Sequence, residues 1–83
     1  MTWELRIYLL RLAVLDDVDR RLRAARVAGD LYGQGVELTE RAWVEMHLRD
    51  MWTHGSARWC AWDRWMRRDV ERAAALRTQL RAA

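Results

Sequence analysis

His47, Asp50 and His54 have the side-chain types that bind a metal, since imidazole nitrogens and a carboxylate are ordinary zinc ligands. With Trp43 they fall at i, i+4, i+7 and i+11, along one face of a helix. The spacing argues against the chemistry. Catalytic zinc helices place their histidines four residues apart, whereas His47 and His54 would lie about 10.5 Å apart along an intact helix, too far to close on one ion. A polar face beside Trp43 is expected, with no metal.

Cys60, the single cysteine, has no partner for a disulfide, and its nearest histidine, His54, lies across a predicted helix break. Segment 29–35 has the glycine density of a phosphate-binding loop. It lacks GxxxxGK[ST], contains no lysine and follows a helix instead of a strand, so it predicts a connection. No Ser-His-Asp ordering and no isolated pair of carboxylates stands out. The sequence therefore predicts a protein that is not an enzyme and uses no cofactor.

Asp69 interrupts a stripe that otherwise calls for apolar residues. Leu48, Trp52, Gly55, Trp59, Trp62, Met66, Asp69, Ala73, Leu76 and Leu80 keep an unbroken 4-3 spacing. A carboxylate there either faces solvent or meets an arginine such as Arg21, as polar residues at coiled-coil core positions do. Trp59, Trp62 and Trp65 step round the helix, leaving Trp65 at the margin of the stripe. Tryptophan beside arginine is the composition enriched in binding hot spots.

From Ser56 onward there are seven arginines against three acids, a net of +4, while the preceding residues carry eight against nine. Arg64, Arg67, Arg68 and Arg72 could follow a phosphate backbone with tryptophan stacking on bases. Asp63, Asp69 and Glu71 interrupt that run, as on an ordinary exposed helix. Every basic residue is arginine, a bias of GC-rich coding, so the arginine count weighs little toward nucleic acid.

These residues need helices to position them. The only turn-rich stretch, 29–35, separates two helical regions in a chain without proline. The predicted elements are a helix over about 3–28, a loop over 29–38, a helix over about 39–53 capped by Thr39, and a helix over about 56–81 capped by Ser56. The last two could instead run on as one long helix through Gly55. Acid-first pairs Asp16–Arg20, Asp17–Arg21 and Asp19–Arg23 are expected along the first helix. The fold class is all-α, a single small helical bundle.

The first helix carries two apolar faces at about 100° per residue, one of Trp3, Ile7, Leu10, Val14 and Val18 and the other of Leu5, Leu9, Leu12 and Leu15 with Tyr8. A helix apolar on both sides is buried on both sides, and 83 residues offer little to cover both. Residues 3–15 are therefore expected to lie between the C-terminal helix and a second copy of the chain, in a homodimer. Leu5, Tyr8, Leu9, Leu12, Trp65 and Asp69 are the candidate partner-binding residues.

The functional reading is a non-catalytic protein-binding module, an accessory regulator or inhibitor of the kind that phages, plasmids and operons encode. An Arg/Trp nucleic-acid binder is the alternative. With no secretory signal and no transmembrane segment in the sequence, a cytoplasmic location is expected.

Overall fold

A computed structural model of the chain describes residues 2–82. It consists of three helices, α1 (Trp3–Val27), α2 (Leu31–Arg49) and α3 (Ala57–Ala82), with no strand among the described residues. The Thr2 hydroxyl starts α1 by accepting from the Leu5 amide at 3.2 Å. Gly29 ends it in the left-handed conformation, φ 67°. The Gly29 amide donates to Arg26 O (3.1 Å) and the Asp30 amide to Ala25 O (2.9 Å), so two of the last carbonyls of α1 are satisfied by a glycine-centred cap.

The predicted loop over 29–38 is corrected, because α2 begins eight residues before Thr39. Asp30 is its cap, its carboxylate accepting from the Gly33 amide at 2.9 Å. Gly33 leaves that carboxylate room, since a Cβ there would press on the Asp30 side chain as it is placed. Thr39 lies inside the helix, where its hydroxyl donates to Gly35 O at 2.8 Å.

The chain does break at Gly55, φ 82°, and the Ser56 hydroxyl accepts from the Trp59 amide (3.2 Å) to start α3. The long stripe is thus divided between two helices. Leu48 belongs to α2, and Trp59 onward to α3.

The middle element is α2, running antiparallel to both neighbours. No Cα of α1 lies within 8 Å of a Cα of α3, and the molecule is flattened, 47 × 24 × 13 Å. The buried apolar residues are Val18 and Leu22 from α1, Leu38, Ala42 and Leu48 from α2, and Ala73 from α3. Residues 3–15 therefore pack along α2, not along the C-terminal helix as expected. The buried positions Val18 and Leu22 continue back through the half-buried Leu15, Arg11 and Tyr8. That seam runs between the two apolar faces of α1 and leaves both flanks partly bare.

The acids of α1 also work differently from expectation. Asp17 pairs with Arg20 within the helix. Arg21 instead reaches Glu37 (3.1 Å) and Glu40 (2.8 Å), and Asp19 pairs with Arg41 (3.2 Å), all on α2. Near the other end of the pair, Arg11 donates to His47 O at 3.1 Å, placing a cation on a carbonyl of the last turn of α2.

Replacing Asp30 by Ala is expected to cost about 1 kcal/mol in urea unfolding, the usual value of a lost helix cap, with Thr39→Ala costing less. A larger loss for Thr39→Ala than for Asp30→Ala would place the start of the helix at Thr39.

Candidate functional site

At the centre of the molecule, one guanidinium faces three carboxyl groups drawn from all three helices. Arg41 of α2 lies 3.2 Å from Asp19 of α1, 3.3 Å from Asp69 of α3 and 3.9 Å from Glu45 one turn along its own helix. Glu45 and Asp69 are each only 1% exposed. The cluster is held by charge more than by aligned hydrogen bonds: Nε of Arg41, Oδ1 of Asp19, Oδ2 of Asp69 and Oε1 of Glu45 have no hydrogen-bond partner.

One positive charge cannot compensate three neighbouring carboxylates, two of them buried, and protonation resolves the excess. Burial, the adjacent Asp69 carboxyl and the more distant Asp19 push Glu45 from 4.5 up to about 9, against the opposing pull of Arg41. Glu45 is therefore a neutral acid near pH 7, able to donate to Asp69.

This settles the position of Asp69. Its partner is Arg41 and not Arg21, whose guanidinium is occupied by Glu37 and Glu40. Asp69 is withdrawn from the candidate partner-binding residues, because an arginine and a protonated glutamate enclose it where no second molecule can reach.

Two open surfaces flank this charged centre. The first is an aromatic cleft of about 480 Å³ between α1 and α3, lined by Tyr8, Trp52, Arg58, Ala61, Trp62 and Trp65. Tyr8 meets Trp52 edge-on, with ring centroids 6.0 Å apart, and the Arg58 guanidinium sits 4.5 Å above the Trp52 ring. Tyr8 and Trp65, two of the predicted partner-binding residues, thus line one cavity. Leu5, Leu9 and Leu12 lie on the same side of α1 as Tyr8 by helical angle; Leu5 and Leu9 remain 44% and 46% exposed, Trp65 45%, and Leu12 is half-buried.

The second surface is an apolar groove of about 440 Å³ between α2 and α3, which sequence reasoning missed because it assigned Tyr32 and Val36 to a loop. Tyr32, Val36, Thr39 and Trp43 form one wall, and Ala73, Leu76 and Leu80 the other, with Arg77 at the rim. A smaller hollow lined by Met46, Met66 and Val70 shares Thr39, Trp43, Ala73 and Arg77 with the groove and extends it. Trp43 is 61% exposed on its lip.

The arginines of α3 divide. Arg67 donates to Asp63 at 2.8 Å, and Asp63 also accepts from Arg49 of α2 at 2.8 Å. These two cations hold the Asp63 carboxyl below its ordinary range. Arg64, Arg68 and Arg72 make no salt bridge among the described residues; Arg68 stacks 5.2 Å from Trp65, and Arg64 joins them around a shallow depression.

The metal-type residues do not converge. His47 packs edge-on against Trp43 (5.1 Å) and His54 lies tilted against Trp59 (4.2 Å), while Asp50 pairs with Arg49 at 2.8 Å. Among the described residues no group of three His, Cys, Asp or Glu side chains is arranged to hold a metal. Cys60 is exposed. No described helix is long and apolar enough to cross a membrane. No family model, curated protein or solved structure matches the chain.

The protonated carboxyl carries a sign that can be measured. Between about pH 4.5 and 9 Glu45 holds a proton in the fold and loses it on unfolding. Its contribution is thus fully present below 4.5 and is lost as the pH rises through 9, by at most about tenfold in the folding constant per pH unit. The urea midpoint is expected to fall from pH 5 to pH 9. Glu45→Gln, which keeps a donor toward Asp69 but does not titrate, should reduce that fall. An equal fall in both proteins would contradict the assignment.

Proposed function

We propose that the protein is a homodimeric, non-catalytic protein-binding module, an accessory regulator or inhibitor that occupies a surface of a larger protein. The observation that carries this reading is the α2–α3 groove. A continuous run of aromatic and aliphatic side chains along two helices, with a tryptophan exposed on its lip, is the form of surface that takes the apolar face of a partner helix. Side chains such as Trp43 and Tyr32 bring large apolar area at small rotamer cost, which is why such residues dominate interface energetics.

Charge adds direction to the groove. Arg77 on its rim makes no salt bridge among the described residues, and Arg81 follows one turn later, whereas Glu40 on the opposite wall is neutralised by Arg21. The groove therefore favours an apolar helix bearing acidic residues along its α3 side.

Nucleic-acid binding through Arg64, Arg68, Arg72 and Trp65 is the competing reading, and salt separates the two. A phosphate-tracking surface loses affinity steeply between about 50 and 200 mM salt, whereas an apolar groove holds its ligand. In recovery from a nuclease-treated lysate at both salts, partners should persist, and Trp43→Ala should reduce their recovery about tenfold or more. The triple change of Arg64, Arg68 and Arg72 to Gln should leave recovery intact. Loss of every partner to nuclease or salt, with the arginine variant abolishing capture, would overturn the proposal.

A further inference from the structure

The aromatic cleft is a different surface from the groove, and the chain itself supplies something to fill it. A compact monomer of 9.9 kDa exposes about 5,200 Å², whereas this fold exposes 5944 Å². The excess, roughly 700 Å², is close to the roughly 800 Å² that each partner buries in a stable interface. The cleft is lined by Tyr8 of α1, by Trp52, and by Arg58, Ala61, Trp62 and Trp65 of α3, and Leu5 and Leu9 stand exposed on the same side of α1 as Tyr8.

We propose that two copies of this chain associate through the Leu5, Leu9 and Leu12 face of α1, antiparallel about a two-fold axis between Tyr8 and Leu9, each α1 entering the cleft of the other copy. The proposal deepens the homodimeric part of the proposed function and does not depend on the groove. Leu5, Leu9 and Leu12 fall at i, i+4 and i+7, and an antiparallel pairing about that axis sets Leu5 opposite Leu12 and Tyr8 opposite Leu9. The stripe is thus complementary to itself, as a two-fold interface requires. Trp65 closes the margin of the contact.

Light scattering at tens of micromolar should give twice the 9.9 kDa of the chain, and Leu9→Arg should halve that mass while leaving the helical circular dichroism unchanged. A second arm avoids dependence on a charge substitution. In a Cys60→Ser background, Leu9→Cys sits close enough to its counterpart across the axis for a disulfide under mild oxidation. Leu10→Cys, about 140° round the helix from the centre of the stripe, should not crosslink. A monomer at this concentration overturns both this interface and the homodimeric reading. A dimer that crosslinks through Leu10→Cys and not Leu9→Cys overturns the interface and leaves dimerisation standing.

Discussion

The arrangement of the three helices depends on Arg41. Among the described residues its guanidinium is the one group that reaches carboxyls on α1, α2 and α3 together, through Asp19, Glu45 and Asp69. The backbones of α1 and α3 stay apart, so much of what fixes them relative to one another passes through this residue on the helix between them. Removing charges from water is costly, and a buried ionic cluster contributes less net stability than apolar side chains of the same volume would. What it contributes is register. Asp69 can meet Arg41 in one rotation of α3 and Asp19 in one rotation of α1, and that choice decides which apolar residues face inward.

The same constraint accounts for the surfaces left over. With a charged layer at the centre, the apolar core is small, limited to Val18, Leu22, Leu38, Ala42, Leu48 and Ala73 with Leu76 beside it. Larger side chains that a closed bundle would bury stand at its edges: Trp43 and Tyr32 along the groove, Tyr8, Trp62 and Trp65 round the cleft, and Trp3 and Leu10 on the outer flank of α1. A fold of this size that leaves so much aromatic surface in water gains by binding, because burial of apolar area is the main favourable term in association as in folding. In the proposed function the groove offers that gain to another protein, and in the proposed dimer the cleft offers it to a second copy.

Much of this could be read from the residues themselves, where the signal was local. Gly29 and Ser56 marked two helix boundaries, since a left-handed glycine cap and a hydroxyl N-cap act through their immediate neighbours. The start of α2 escaped because three glycines in seven residues suggest a loop, yet Gly33 and Gly35 lie inside a helix that Asp30 caps through a backbone amide. Asp69 stood out as a break in an apolar pattern, but its partner did not, because helical rotation and not sequence spacing brings Arg41 to it. The expected i, i+4 pairs of α1 failed for the same reason, since Arg21 and Asp19 are drawn across to α2. Of the candidate site, the separate faces of α1 and the marginal place of Trp65 were legible. The meeting of Tyr8 with Trp52, Trp62 and Trp65 was not, because it depends on the Gly55 turn and on the spread of α1 from α3.

The role of Arg41 is tested most directly by Arg41→Met, which keeps much of the side-chain bulk and removes the charge, followed by urea unfolding at pH 7.5 and pH 4. Leaving buried carboxylates uncompensated is expected to cost about 3 kcal/mol or more at pH 7.5, with part of the loss recovered at pH 4 as the carboxyls take up protons. A variant as stable as the parent at pH 7.5 would contradict the account.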